Sequence, residues 1–146
     1  MRSTENQNDM IEKVTLRRSD DGRLQLEGGV GCAEMNPKAL LLYAGASCAG
    51  LTVLQIMKRE RLVPKRFEIT LMGDMTTDTV QAETEFRSFR VIYDIECADD
   101  REQIKASRAV KLGQERYCGM MNMLRKIAPV TYETAMVSTG AVAERV

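Results

Sequence analysis

The chain has 146 residues, with 21 Lys and Arg against 21 Asp and Glu, so its formal net charge is zero. This balance argues against the strongly basic surface with which proteins bind nucleic acid or anionic lipid, and we expect neither partner. Histidine is absent, which removes the usual general base and the commonest metal ligand. A chain of this length fits one domain with a substantial core.

Four cysteines are spread along the chain without a C-x-x-C pair: Cys32, Cys48, Cys97 and Cys118. Their spacing indicates neither a zinc site nor a thioredoxin-type motif, and we expect no metal and no cofactor. The first nine residues are polar and lack the apolar run of a signal peptide. We therefore expect a cytoplasmic protein, in which a disulfide is more often transient than structural.

The first part of the chain predicts a hairpin after a polar tail over residues 1–9. Residues 10–17 and 23–27 alternate polar and apolar side chains, as half-buried strands do. Asp20-Asp21-Gly22 between them is a turn signal. The glycines at 28–31 lack the pattern of a phosphate-binding loop and are interpreted as a connection.

The stretch from Ala39 to Met57 is apolar or small on nearly every side and predicts one buried helix with Cys48 near its middle. Asn36 can cap this helix and Pro37 suits the first helical position. A helix of this length could also span a bilayer. Its glycines and polar residues, and the polar sequence on both sides, favour a core helix over a membrane span.

Alternating side chains predict three further strands, over residues 65–72, 82–96 and 130–137. Gly73 to Gln81 is interpreted as a polar connection. A second, amphipathic helix is predicted over 98–128, which Gly113 and Gly119 are expected to bend or interrupt. Residues 138–146 are predicted to form a tail. The element order is that of an α+β protein rather than an alternating α/β one.

Three motifs lie on these predicted elements: Asn36-Pro37-Lys-Ala-Leu-Leu-Leu-Tyr-Ala-Gly-Ala-Ser-Cys48, Phe89-Arg-Val-Ile-Tyr93, and Glu115-Arg-Tyr-Cys118 followed by Pro129-Val-Thr-Tyr-Glu133. Together they resemble the OsmC/Ohr family of osmotically inducible and organic-hydroperoxide-resistance proteins. The resemblance covers residues 10–137, as a single domain. It implies an OsmC-like fold in which antiparallel sheets wrap around two long central helices in an intertwined homodimer, with each active site at the subunit interface.

The resemblance also implies a function and two catalytic residues. In that family the first cysteine attacks a peroxide and the second resolves it, which corresponds to Cys48 and Cys118 here. The expected reaction is thiol-dependent reduction of organic hydroperoxides in oxidative-stress defence, with a dithiol reductant as the second partner. Such a thiolate needs a positive neighbour, usually an arginine. We interpret Cys32 and Cys97 as structural or incidental.

The chain departs from the better-characterised branches in its charged residues. Those branches resemble one another in carrying a glutamate at the position that Lys38 occupies here. The lysine is typical of a divergent OsmC-like branch. Because no arginine lies between Gly28 and Pro37, Arg17, Arg18 or Arg23 would have to reach the site. Two alternatives to a peroxidase therefore stay open: a dimer that binds an apolar small ligand without turnover, and a redox sensor that acts on another protein.

Overall fold

The computed structural model describes residues 10–29, 31–76 and 84–139. Its elements follow the predicted order: β1 (Ile11–Arg18), β2 (Leu24–Leu26), α1 (Pro37–Arg59), β3 (Arg66–Met75), β4 (Phe86–Cys97), α2 (Asp100–Leu112), α3 (Gly119–Ile127) and β5 (Val130–Ser138). This confirms the α+β class. The predicted N-terminal tail, residues 77–83 and residues 140–146 lie outside the described residues.

The five strands form one sheet in the order β2-β1-β3-β4-β5. Pairing is antiparallel from β2 through β4, whereas β4 and β5 are parallel. The sheet is therefore mixed rather than wholly antiparallel as expected. The reason is that the chain leaves β4, crosses through two helices and returns in the same direction, which a short turn cannot do.

The two faces of the sheet differ as the alternation predicts. Alternate residues of β4 form its inner face, which is fully buried and carries Phe89, Val91, Tyr93 and Ile95. The outer face carries ion pairs between neighbouring strands: Arg17 with Glu68, Arg66 with Asp94, and Arg90 with Glu133. The inner, apolar face of the sheet therefore packs against the helices, while the outer, charged face is suited to solvent.

Helix α1 begins as predicted, because the Asn36 side chain accepts a hydrogen bond from the Ala39 amide at 2.8 Å and Pro37 occupies the first turn. Its glycines let the helix lie close to the sheet. A Cβ atom at Gly45 would lie 2.9 Å from Leu71 Cδ2, and one at Gly50 would lie 2.7 Å from Leu24 Cδ1. A larger side chain at either position would require these leucines to shift or α1 to move away from the strands.

One side of α1 is buried and the other is not, although its sequence is apolar almost all round. The buried residues recur every three or four positions: Ala39, Leu42, Gly45, Ala46, Ala49, Gly50, Val53 and Met57. On the uncovered side Leu40 is 37% exposed and Leu51 is 50% exposed. Among the described helices, α1 alone is long and apolar enough to cross a membrane, and 39% of its most apolar window is buried within this chain.

Strand β3 runs to Met75, so the interpretation of Gly73 as the start of a connection was wrong. Gly73 is a strand residue because the ring of Phe86, on β4, lies over it: a Cβ there would come within 2.2 Å of the ring. The pairing then shifts register between Asp74 and Met75. The glycine therefore serves close packing rather than a turn.

The second helix is interrupted, as Gly113 and Gly119 suggested. Asp99 caps α2 by accepting a hydrogen bond from the Glu102 amide at 2.9 Å. A π-helical turn, Gly113–Tyr117, then separates α2 from α3. Gly113 lies directly on α1, where a Cβ would meet Val53 Cγ2 at 2.7 Å. This turn ends at Cys118 and so determines where that side chain lies.

Candidate active site

The structure brings the two sequence-predicted site residues together. The Sγ atoms of Cys118 and Cys48 lie 3.3 Å apart, with the Cys118 thiol donating a hydrogen bond to Cys48, although 70 positions separate the two residues. Cys48 is partly exposed and Cys118 is fully buried. All four cysteines are free thiols. Two thiols at this separation are a short movement away from a disulfide.

Different backbone structures hold the two sulfurs. Cys48 lies within α1, where the helix continues for more than two turns in both directions. Cys118 lies between the π turn and α3, in an extended conformation. Its amide donates to the Gly113 carbonyl at 3.0 Å, and its own carbonyl accepts from the Asn122 amide at 3.1 Å. Cys118 is therefore the N-cap residue of α3.

Burial raises the pKa of the Cys118 thiol to about 11. The amides of Met121 and Met120, at the start of α3, act in the opposite direction, while the hydrogen bond to Cys48 raises the pKa further. The shared proton therefore stays on Cys118 at neutral pH. Cys48 accepts that hydrogen bond and is the more exposed of the two sulfurs.

A buried polar pair lies beside Cys118. The Tyr93 hydroxyl donates to Gln114 Oε1 at 2.6 Å. Burial raises the pKa of Tyr93, and the nearby Cys118 and Tyr132 raise it further. Gln114 is 1% exposed, and its Nε2 has no hydrogen-bond partner among the described residues. Tyr93 ends one of the three motifs found in the sequence, whereas Gln114 was missed, although a glutamine on the apolar side of a predicted helix could have identified it.

Two further contacts hold the π turn from outside. The Tyr132 hydroxyl, on β5, donates to Glu115 Oε2 at 2.6 Å, and burial together with this carboxylate raises the pKa of Tyr132 to about 12. Arg125, on α3, donates to the Gln114 carbonyl at 2.9 Å and to the Glu115 carbonyl at 3.4 Å. Side chains from β4, β5 and α3 therefore all contact the turn that leads to Cys118, and the contact from β4 is the buried one.

No described arginine hydrogen-bonds to either sulfur within this chain. Arg17 pairs with Glu68 and Glu27 on the outer face of the sheet, and Arg23 lies near Asp21. Arg18 lines a groove with Lys58, at the far end of α1 from its N-cap. Because α1 is continuous from Pro37, Lys38 stays about 15 Å from Cys48 along the helix axis.

The other two cysteines lie apart from this pair. Cys97 is buried at the end of β4, where burial raises its pKa to about 11. Cys32 is exposed in a short 3-10 turn. Within the described ranges, no three His, Cys, Asp or Glu side chains are grouped closely enough to hold a metal ion.

An open groove of about 530 Å³ lies between α1 and the π turn. It is lined by Thr52, one helical turn after Cys48, and by Tyr117, which immediately precedes Cys118. Leu112 and Ile56 add apolar surface, while Arg59 lies toward the end of α1. The groove therefore offers a mostly open surface next to the segments that carry both sulfurs.

Comparison with known proteins agrees with this architecture. Residues 29–133 match the family model described as OsmC-like protein. The chain is 22% identical to Protein YhfA of Escherichia coli K12 over 116 residues, which cover 80% of this chain and 84% of that protein.

Two solved structures share the fold. An OsmC-like protein from Mycoplasma pneumoniae has a TM-score of 0.58 at 14% identity, covering 87% of this chain and 95% of its own. An OsmC-like hydroperoxide resistance protein from Jannaschia sp. CCS1 has a TM-score of 0.55 at 17% identity, covering 79% and 85%. Because the family model spans well over half of the sequence, the chain belongs to the OsmC-like protein family.

Proposed function

We propose that the protein is a thiol-dependent hydroperoxide reductase in which Cys48 attacks the peroxide and Cys118 resolves the product. The observation that carries this proposal is the 3.3 Å separation of a partly exposed and a buried thiol. The hydroperoxide-resistance name of the Jannaschia relative supports the choice of substrate class. Leu51 lies about one helical turn after Cys48 on α1 and is half exposed, and an apolar side chain at this place favours an organic hydroperoxide over hydrogen peroxide.

The reaction has two steps on the protein. The Cys48 thiolate attacks one peroxide oxygen, so that an S–O bond forms, the O–O bond breaks and the alcohol leaves with a proton. The Cys118 sulfur then attacks the sulfur of the Cys48 sulfenic acid. The S–S bond forms, the S–O bond breaks, and the leaving hydroxide takes the Cys118 proton and departs as water. A dithiol reductant supplies two electrons to reopen the disulfide.

Reduction of the disulfide by a dithiol requires a reducing compartment, so the proposed function includes a cytoplasmic location. We further propose a homodimer. The uncovered side of α1 exposes Leu40 and Leu51 in the single chain, and an apolar helix face of this kind needs a protein partner in water. The cation that stabilises the Cys48 thiolate would then be supplied across the subunit interface.

Turnover is tested by measuring consumption of cumene hydroperoxide and hydrogen peroxide with dithiothreitol or a dihydrolipoyl donor. We expect wild type to consume cumene hydroperoxide faster and Cys48→Ser to fall to the buffer rate. Cys32→Ser is the matched control, because Cys32 is an exposed thiol outside the site, and it should keep full activity. Buffer-level consumption by wild type, with Cys48 unoxidised under a modest peroxide excess, would contradict the proposed function.

The dimer is tested by sedimentation of Leu51→Glu, which places a charge on the uncovered side of α1. Val63→Glu is the control, since Val63 is 64% exposed and lies outside the helix. We expect Leu51→Glu to sediment as a monomer and Val63→Glu to behave as wild type. If the two variants sediment alike, the uncovered side of α1 is not the interface.

A second candidate function rests on the groove beside Thr52 and Tyr117. Its volume suits a small molecule, for which Ile56, Leu112 and Tyr117 offer apolar contacts beside the polar Gln55, Arg59 and Glu60. A protein that bound such a ligand without turnover would leave Cys48 reduced. Native mass spectrometry of purified protein separates the two functions. A bound apolar molecule together with absent turnover would favour the binding protein over the reductase.

A further inference from the structure

Gln114 is a buried polar residue that packing alone does not explain. Its side chain is almost fully buried among apolar residues, and Nε2 has no hydrogen-bond partner in the described ranges. Reversing the amide would only leave Oε1 unpaired instead, because among the described residues the Tyr93 hydroxyl is the one hydrogen-bond partner given for this side-chain amide. An apolar side chain would fill this position without an unpaired amide atom.

The backbone around Gln114 is equally uncommon. Gln114 lies in the π turn, a helical form that is rare and frequent at functional sites. The turn contacts α1 through Gly113 and ends at Cys118, whose amide bonds back to the Gly113 carbonyl. The Tyr93–Gln114 bond ties the inside of this turn to β4, in the middle of the sheet.

Disulfide formation requires a movement that this turn has to provide. The sulfurs must close from 3.3 Å to about 2.05 Å. Cys48 lies in the middle of a continuous helix, whose hydrogen bonds resist displacement of a single residue. Cys118 lies at a break between two helices, so its segment is the one able to move.

We propose that Gln114 is a positioning residue for disulfide formation: its hydrogen bond with Tyr93 holds the π turn where Cys118 can attack oxidised Cys48. This inference rests on the proposed function for its oxidant, but its geometry applies to any oxidised form of Cys48. Gln114 touches neither substrate nor the reacting atoms in this role, and it acts through the backbone that carries Cys118.

The test separates the two chemical steps. One equivalent of cumene hydroperoxide is added to reduced samples of wild type, Gln114→Leu and Tyr93→Phe. The reaction is quenched with an alkylating agent and dimedone, and the products are measured by intact-protein mass spectrometry. We expect Cys48 to be oxidised at the wild-type rate in all three. Disulfide formation should be at least about tenfold slower in both variants, since small misplacements of reacting atoms cost rates of this order.

Tyr132→Phe is the matched control, because it removes a hydroxyl of the same kind that bonds to the π turn from its exposed side. We expect its disulfide to form within about twofold of the wild-type rate. The double variant Tyr93→Phe with Gln114→Leu removes both polar partners, so it should regain the wild-type melting temperature. A positioning role predicts that its disulfide still forms slowly, whereas a merely structural role predicts that rate and stability recover together.

A second measurement keeps the inference independent of the peroxide. In a Cys32→Ser background, Cys48 is converted to its mixed disulfide with thionitrobenzoate, and release of the coloured thiol by Cys118 is followed. Slow release in Gln114→Leu supports the positioning role even if wild type proves inert to hydroperoxide, an outcome that would remove only the proposed function. Release at the wild-type rate in both Gln114→Leu and Tyr93→Phe would overturn the inference.

Discussion

The two cysteines differ in everything except their proximity. Cys48 belongs to a regular helix of 23 residues, packed on the sheet through glycines and other small side chains. Cys118 belongs to a short break between two helices. The first sulfur therefore has a position determined by one long element, whereas the second depends on several separate contacts. The proposed redox pair would use this difference, because at least one sulfur has to move for a disulfide to form and reopen.

The hydrogen bonds around the two cysteines differ in the same way as their backbone structures. Near Cys48, the hydrogen bond that the structure describes for the thiol is the one from Cys118. Around Cys118 lie the Tyr93–Gln114 bond, the Tyr132–Glu115 bond and the Arg125 contacts to backbone carbonyls. Polar side-chain contacts therefore concentrate on the segment that carries Cys118. The following predictions test this comparison, from the largest expected effect to the smallest.

Replacing the mobile sulfur should separate the two steps completely. In Cys118→Ser we expect Cys48 to be oxidised but not to form an intramolecular disulfide, so that excess hydroperoxide carries it to the sulfinic acid. Intact mass spectrometry would show a gain of two oxygen atoms. Cys97→Ala, at another buried thiol, should still form the disulfide. A Cys48 disulfide in Cys118→Ser would show that a different cysteine resolves.

Alkaline pH should destabilise the fold through the buried thiols. Burial raises the pKa of Cys118 from its ordinary value of 9.0 to about 11. Below about pH 9 both folded and unfolded chains keep this proton, so the stabilisation is fully present. Between about pH 9 and 11 the unfolded chain loses the proton first, and stability falls by about 2 kcal/mol for this thiol.

The measurement is urea unfolding across this range with a reductant present. Cys118→Ala should lose less stability than wild type between about pH 9 and 11. Cys97 contributes a parallel loss, since burial also raises its pKa to about 11. Cys32→Ala, at the exposed cysteine, should keep the wild-type pH dependence. If Cys118→Ala retains the whole alkaline loss, the Cys118 thiol does not keep its proton in the folded protein.

A larger side chain within the π turn should displace Cys118 without contacting it. In Gly113→Ala the new Cβ would meet Val53 Cγ2 at 2.7 Å, and a branched valine cannot easily turn away. We expect a net loss of about 1–2 kcal/mol, from overpacking partly offset by better helix propensity, together with slower disulfide formation. Gly119→Ala meets nothing within 4 Å. It should leave both quantities near wild type, as unfolding and quenched-mass measurements would show.

Weakening the cap of α1 should affect stability alone. Asn36→Ala removes the side chain that accepts from the Ala39 amide, at a cost of about 1 kcal/mol. The melting temperature should fall by about 2–4 °C. Because Asn36 lies about 18 Å along the axis from Cys48, disulfide formation should be unchanged. A large change in that rate would mean that α1 is less rigid than its continuous hydrogen bonding suggests.

Local patterns predicted much of this molecule from sequence. The alternation in β4, the cap at Asn36 and the interruption near Gly113 each depend on residues within a few positions of one another. Short-range preferences of this kind act wherever the segment lies. The pairing of Cys48 with Cys118 came from the resemblance to a family and not from spacing.

Only the tertiary structure decided the remaining features. The parallel direction of β5, the strand role of Gly73 and the burial of Gln114 depend on which distant segments meet. An apolar helix has no local signal that says which side faces the sheet, so the covered and uncovered sides of α1 could not be told apart beforehand. Contacts between residues far apart in the chain, unlike helix caps and alternation, exist only once the chain has folded.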